Sequence, residues 1–568
     1  MSFLKKRWQI FDHDQLLAIS LAAELNISPI TSQILINRNI KSAKDGYTFL
    51  NPRLDSLSRP FDIPNMKKAI DRILEAKQKG EKVTVFGDYD VDGVTGTSIM
   101  LESLKKLGIP CDYYIPHRYN EGYGMNRFAI EKIHKEGSKI VLTVDCGISN
   151  YDEIEFAGSL GIDVIITDHH NIPEKLPKAY SIVNPKMIAG DHESKQLSGA
   201  GVAFKFAWAL FSIAGVPMSE LKDLLDLVAL GTISDVVPLT HENRTLTIFG
   251  LKKIEEKKRI GLNALINAAR INGSIGTREI GFGIGPRLNA AGRLKDASLS
   301  VELLTTNDID KANEISLSLC RINIERQDIG SDISKQANDS LGDNPGLKKL
   351  IFAKGQNWHP GVIGIVAGRI AENYNRPTIL VGINDGFCRG SARSIENFDI
   401  YNLLLSAKDL FIDFGGHKDA AGFEIKEEDL DELEKRLHAN IEGSLDLTDI
   451  SPKIKIDSEI GPQDMNMKLA LELASLKPFG TGNPSPVFVK KGVSVLDLKR
   501  VGSDKRHLKA RFSEGTNSID IIGFGLGKFA DNFDKTSKYD IVHTMDINEW
   551  QGYESVQLGL IDARISEI

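Results

Sequence analysis

The sequence predicts an α/β protein built on a doubly wound parallel sheet and continued by a helical connector, a second smaller α/β domain and a C-terminal β-barrel. Three observations carry that expectation. Between residues 82 and 168, short apolar runs ("KVTVFGD", "CDYYIP", "KIVLTVD", "DVIITD") alternate with helical stretches ended by Gly108, Gly137 and Gly161, the pattern of parallel strands covered on both faces. After about residue 450 the chain turns to many short alternating runs, such as "PVFVKKGVSVLDLKRVG", "HLKARFS" and "SIDIIGFG", which suit a small barrel. A length of 568 residues with 41% hydrophobic and 26% charged content is globular, and at roughly 100 to 200 residues per domain it holds three or four domains.

In chain order, residues 1–55 read as a helical and loop extension. The first α/β domain spans 56–295 and opens on "MKKAIDRILEAKQKG", a helix stopped by Gly80. Polar helical sequence over 296–342 forms the connector, the second α/β domain covers 343–450, and the barrel covers 451–568. No fixed-period repeat or low-complexity tract interrupts this order.

Composition excludes several classes. No apolar run reaches the roughly 18 residues of a membrane span, and "MSFLKKRWQIFDHDQ" lacks an apolar leader core, so a cytoplasmic protein without a membrane partner is expected. Cys111, Cys146, Cys320 and Cys388 lie far apart with no CxxC spacing, which argues against a zinc site or a disulfide framework. A net charge of −7 gives no overall basic field, so any nucleic acid has to be held in a local groove.

The chemistry is concentrated at strand ends. "VFGDYDVDGVTG" places Asp88, Asp90 and Asp92 in a loop with Gly87, Gly93 and Gly96; Asp145 follows "IVLTV", Asp168 follows "VIIT", and Asp235 follows the apolar "LVALGTIS". Taken singly, each is equally a turn or helix-capping aspartate, and His169 or His170 a packed or solvent-facing histidine. Together they read as four acid-bearing strand ends of one sheet, where open α/β folds bind ligands. Gathering such charge without lysine or arginine calls for bound cations, and carboxylates with imidazole suit Mn²⁺ or Mg²⁺. A pair of ions would clamp a phosphoryl group for in-line attack.

The sequence also resembles a known family. "GDYDVDGVTGT", "TVDCGIS", "TDHHN" and "GTISDVVPL" resemble, in order, the four phosphoesterase motifs of the DHH superfamily. "GPRLNAAGRL", "WHPGVIGIVAGRI", "GGHKDAAGF" and "LKPFGTGNPSPVF" are similar to stretches of its RecJ family of bacterial single-strand-specific 5′→3′ exonucleases. The likeness runs over roughly residues 50 to 565. It implies a DHH domain at 56–295, a DHHA1-like substrate-binding domain at 343–450 and an OB-fold at 451–568. It implies two metal ions held by Asp90, Asp92, Asp145, His169 and Asp235, with Asp145 bridging and His170 facing the scissile phosphate. One place departs from the pattern. Many superfamily members carry a histidine four residues before the first DxD aspartate, where this chain has Phe86, so Asp88 or water has to complete the first site.

For substrate, Arg118 in "IPHRYNEGYG", Arg287, Asn289 and Arg293 in "GPRLNAAGR", and Ser391 with Arg393 in "GSARS" offer donors suited to phosphate, although a lone arginine is as readily a surface ion pair. The resemblance assigns Arg118, Ser391 and Arg393 to a 5′-phosphate pocket, and Gly415, Gly416 and His417 to a DNA-facing loop. Trp358 and His359 either stack a base or fill a core. Lysines, arginines and a histidine between Lys499 and Arg511 form a basic stripe on two adjacent barrel strands, a second route to single-stranded DNA. The expected function is a metal-dependent 5′→3′ single-strand DNA exonuclease of recombination and repair. It is expected to act as a monomer, with a DNA helicase and a single-strand-binding protein as partners. The alternatives are a DHH phosphodiesterase acting on short oligonucleotides, cyclic dinucleotides or polyphosphate, and a replication scaffold that has lost its metals; the barrel argues against the first, the intact acids against the second.

Overall fold

The computed structural model describes residues 2–119, 121–342, 348–384, 386–442, 452–550 and 552–566. Two compact units emerge, Met1–Cys320 with Lys455–Ile568, and Arg321–Ile454. In the first, β1 (Arg7–Ile10) precedes the central parallel sheet of β2 (Lys82–Gly87), β3 (Cys111–Tyr114), β4 (Ser138–Val144), β5 (Asp163–Thr167) and β6 (Ser181–Val183). The strand order is β3-β2-β4-β5-β6. After β2 the chain steps to one side for β3 and returns to the other for β4, so the winding reverses between β2 and β4. That switch point is where open α/β sheets form a ligand crevice at the carboxyl ends of their strands.

Strand alternation serves both faces. Val83, Val85, Ile140, Leu142, Val144 and Ile165 pack under the helices Met66–Lys79, Val91–Lys106 and Gly199–Ala214, while Phe86, Val141, Val164 and Ile166 pack under Arg127–Lys135 and Tyr151–Ser159. The expected doubly wound sheet is present.

The segment "LVALGTIS" corrects the expectation at one strand end. It forms the helix Leu225–Ser234, with Asp235 as its C-cap. The DxD stretch is also not a free loop, since Asp90 caps the helix Val91–Lys106 and Asp92 sits in its first turn. The connector resolves into Ser298–Thr305, whose Val301, Leu303 and Leu304 join the first core, and the 33-residue helix Ile309–Leu341.

In the second unit, β7 (Ile351–Gln356), β8 (Thr378–Asn384), β9 (Phe387–Arg393), β10 (Phe411–His417) and β11 (Ala420–Lys426) form a sheet ordered β10-β11-β9-β8-β7, in which β7 and β8 run parallel. After β12 (Lys453–Ile456) and β13 (Ser458–Glu459), the strands β14 (Phe488–Val501), β15 (His507–Glu514), β16 (Asn517–Gly523), β17 (Lys538–Trp550) and β18 (Tyr553–Ile565) pair around a ring that β14 and β17 close, which gives the expected barrel. Closure leaves no open edge among these five strands.

The N-terminal segment packs on the barrel region. Its helices Pro29–Asn37 and Ala43–Leu50 bury Ile34, Leu35 and Phe49 against Leu473, Phe488 and Phe512 of the barrel region. No single helix among the described residues is long and apolar enough to cross a membrane.

Candidate metal centre

Register brings the acids together before any side chain is considered. Gly87 pairs with Val144, and Val144 with Thr167, so Asp88, Asp145 and Asp168 leave three adjacent strands at one level. Their amides extend the ladder, Asp88 N donating to Val144 O, Asp145 N to Thr167 O and Asp168 N to Val183 O. Asp145 holds φ 62°, a costly left-handed conformation of the kind that surrounding structure enforces at functional sites.

Donor atoms then converge in three overlapping groups, Asp88/Asp90/Asp145, Asp92/His169/Asp235 and Asp145/His169/His170, with all ligand atoms of each group within 4.8 Å of one another. His169 Nε2 lies 3.0 Å from Asp145 Oδ1, 3.7 Å from Asp235 Oδ2 and 3.9 Å from Asp92 Oδ2. Two glycines make the closeness possible. A methyl group on Gly199 would stand 2.8 Å from Asp145 Oδ1, and one on Gly231 would stand 2.5 Å from Asp92 Oδ1.

The carboxylates divide by what already holds them. Asp90 Oδ1 accepts from Asp92 N and Gly93 N, so the capping role and the place in the cluster are filled by one side chain. Asp92 accepts from Gly199 N and Ala200 N at the start of the helix Gly199–Ala214. Asp168 is fully committed: Oδ1 accepts from His169 N, His170 N and, at 2.8 Å, His170 Nδ1, and Oδ2 accepts from Ile148 N. In contrast, Asp88 Oδ1, Asp145 Oδ1, His169 Nε2 and Asp235 Oδ2 are buried and have no hydrogen-bond partner. Orphaned acceptors are costly, and four at one point fit bound cations.

Electrostatics agree with this division. Burial, then the Asp90 charge, pushes Asp88 up to about 8 and Asp92 up to about 7. Burial, then Asp92 and Asp90, pushes Asp235 up to about 9 and Asp145 well above the carboxylate range. Burial, then the neighbouring His170, lowers His169 to about 3, leaving a neutral imidazole fit for ligation. His170 goes the other way: burial opposes its charge, but the hydrogen bond from Nδ1 to Asp168 outweighs it and raises the imidazole.

Phe86 is fully buried and stacks on Tyr114 at 5.5 Å, turned into the sheet's core. Asp88, with its oxygen unspent, stands in the adjacent group. Residues not singled out from the sequence complete the surroundings. Tyr123 donates its hydroxyl to Asp145 O, Asn184 Nδ2 donates to His170 O, and Lys186 Nζ donates to Asn171 Oδ1. Tyr123 and Asn171 fall within the stretches "IPHRYNEGYG" and "TDHHN", and Asn184 and Lys186 within the polar "NPK" after an apolar strand.

The expected substrate residues fare unevenly. The Arg118 guanidinium lies 4.7 Å over the ring of Tyr89, which stands between Asp88 and Asp90 in the chain. Arg287 Nη1 donates to Gly283 O, and Tyr119 donates to Arg293 O. Asn289 is spent on structure, its Oδ1 accepting from Val91 N and tying its helix to the DxD turn.

In the second unit Arg393 Nη1 donates to Ser391 Oγ at 2.9 Å. Trp358 is 2% exposed and donates Nε1 to Gln336, so it fills the core and offers no ring face to a base. His359 caps the helix Pro360–Tyr374. Gly415, Gly416 and His417 form the exposed end of β10 and not a loop.

The basic stripe is largely neutralised. Lys499 pairs with Asp497, Arg500 with Asp531, Arg506 with Asp504 and Arg511 with Asp520. Asp504 belongs to the run itself and Asp497 lies just before it, while Asp520 and Asp531 are brought to it by folding.

Comparison with known proteins bears on the whole chain. Residues 82–232 match the DHH family N-terminal domain, 347–443 the DHHA1 domain and 456–562 the RecJ OB domain. The chain is 38% identical over 571 residues to the single-stranded-DNA-specific exonuclease RecJ of Bacillus subtilis, covering 99% of this chain and 71% of that one. The chain belongs to the RecJ family. The RecJ exonuclease of Haemophilus influenzae is 34% identical, with 96% of this chain and 97% of that one covered. A crystal structure of RecJ with Mn²⁺ from Thermus thermophilus superposes with a TM-score of 0.86 at 31% identity, covering 99% of this chain and 80% of that one. Along this chain the matched domains follow in the order DHH, DHHA1, OB.

Proposed function

We propose that this RecJ-family chain is a metal-dependent exonuclease that hydrolyses single-stranded DNA from its 5′ end, releases 5′-mononucleotides and serves DNA recombination and repair. The observation that carries the reading is the set of four unpartnered buried donors, Asp88 Oδ1, Asp145 Oδ1, His169 Nε2 and Asp235 Oδ2, at the switch point of the parallel sheet. In this reading Asp88, Asp90 and Asp145 would hold one ion and Asp92, His169 and Asp235 a second. Mn²⁺ or Mg²⁺ fits a carboxylate set with one imidazole. When bound, the pair supplies Lewis-acid polarisation of the phosphoryl oxygen and a lowered pKa for the attacking water.

The chain's own groups do the rest. His170, fixed by Asp168 and raised toward its protonated form, presents a donor to the scissile phosphate. Arg118, Arg287 and Arg293 in the first unit, and Ser391 with Arg393 in the second, are proposed phosphate-binding groups; His417 with Gly415 and Gly416 is a proposed backbone contact. The enzyme is read as a cytoplasmic monomer working on strands opened by a DNA helicase and covered by a single-strand-binding protein. The closed barrel supports a polymer as substrate over a cyclic dinucleotide.

Digestion of an end-labelled single strand in Mn²⁺, beside a duplex and a cyclic dinucleotide, tests the reading. Mononucleotides released from the 5′ end of the single strand alone are expected. Preferential cleavage of the cyclic dinucleotide would overturn it.

A further inference from the structure

We propose that Phe282 is a stacking platform for a nucleobase of the bound strand beside the metal centre, a contact that helps set the strand's register on the cations; this rests on the exonuclease reading above. Phe282 is 84% exposed, although the residues around it are well anchored. It lies in the π-helical turn Ile280–Ile284, whose two end residues are fully buried, so the turn is fixed while the ring projects outward. Gly281 and Gly283 flank it, and neither has a side chain to cover the ring. π-turns are rare, and those that occur are often found at functional sites.

The place of this turn gives the ring its role. It runs directly into the helix Gly285–Leu294, which lies along the metal centre. At the near end, a methyl group on Gly285 would stand 2.9 Å from Ser234 Oγ, one residue before Asp235. Farther along, Asn289 Oδ1 accepts from Val91 N, between Asp90 and Asp92. Phe282 therefore precedes, by less than one turn, the end of a helix that spans from Asp235 to the DxD turn. Beside Asp235 stands a second outward apolar group, Val236, which is 64% exposed at φ 63°. Arg287 follows on the next turn. An aromatic face with a cation one turn away is the combination that holds single strands, since every base has a face to stack and a phosphate to pair.

The full chain and Phe282→Ala, Phe282→Leu and Phe282→Trp are compared in steady-state digestion of a 5′-phosphorylated strand in Mn²⁺. A metal-free titration with strands carrying 2-aminopurine at each of the first positions runs beside it. Because the ring is exposed, none of these changes disturbs the core. The expected result is a KM raised on the order of tenfold by Ala, within the roughly five- to hundredfold range of one lost stack, with recovery in Trp and no recovery in Leu. One 2-aminopurine position should be quenched in the wild type and Trp variant and bright in Ala and Leu. An Ala variant equal to wild type in both readouts overturns the proposal, as does full recovery by Leu, which would mean simple apolar cover. A wild type that cuts no strand contradicts the exonuclease reading instead, and the fluorescence titration still decides the stack because it needs no hydrolysis.

Discussion

Asp168 and Asp145 end neighbouring strands, yet their oxygens are used in opposite ways. Asp168 gives both oxygens to the chain and orients His170, whereas Asp145 keeps a buried oxygen unpartnered. Asp168→Asn should therefore lower kcat by about ten- to hundredfold, the usual effect of losing a group that orients another, while Mn²⁺ uptake stays close to wild type. Steady-state kinetics with a parallel metal titration check this, and equal losses in both would make Asp168 a ligand. Strand-end acids were legible from sequence because a β-branched run closing in aspartate predicts both register and edge. The division of labour was not, because it depends on amides such as Ile148 N that share no motif with Asp168. Trp358 shows the same limit, since the partner of its indole N–H, Gln336, lies 22 residues away and is brought near by folding.

Elements place these residues by close approach. The helix Gly199–Ala214 starts against the cluster, and its first residue has no room for a side chain beside Asp145. Alanine favours helix interiors over glycine by roughly 1 kcal/mol, so Gly199→Ala should keep the helix by circular dichroism yet weaken Mn²⁺ binding at least tenfold by displacing Asp145. Unchanged affinity would mean that the cluster is softer than this packing implies. The helix Leu225–Ser234 shows why one element was misread. Leu225 through Ile233 are all buried, and a continuously apolar run carries no period to separate a buried helix from a buried strand. Asp235 was nonetheless found, because its chemistry depends on where the element ends and not on its type. The barrel's paired charges escaped for a different reason: Asp520 and Asp531 reach Arg511 and Arg500 only through folding.

Across the first unit, one buried arginine joins three regions. Arg244, 2% exposed, donates to the carbonyls of Phe49, Ser475 and Leu476 and lies 3.9 Å from the Phe49 ring. It stitches the N-terminal helices and the segment before the barrel to the sheet domain, which explains why residues 1–55 are not a free extension. Arg244→Met should leave those carbonyls unsatisfied, costing about 3 kcal/mol, and split a single thermal transition into two by calorimetry; one unshifted transition would refute the stitch.

The metal centre also links the molecule to pH. Without cations, Asp92, Asp88 and Asp235 keep their protons to about 7, 8 and 9. Their stabilising contribution is full below the unfolded carboxylate pKa of about 4 and is lost as pH rises through those values. Chelation should thus destabilise the protein more at pH 9 than at pH 6. Isothermal calorimetry of Mn²⁺ binding at pH 8, in two buffers of different ionisation enthalpy, tests the central claim most directly. The account predicts two ions per chain, bound with release of protons, and loss of that uptake in Asp145→Asn. Absence of Mn²⁺ uptake by the intact chain would contradict it.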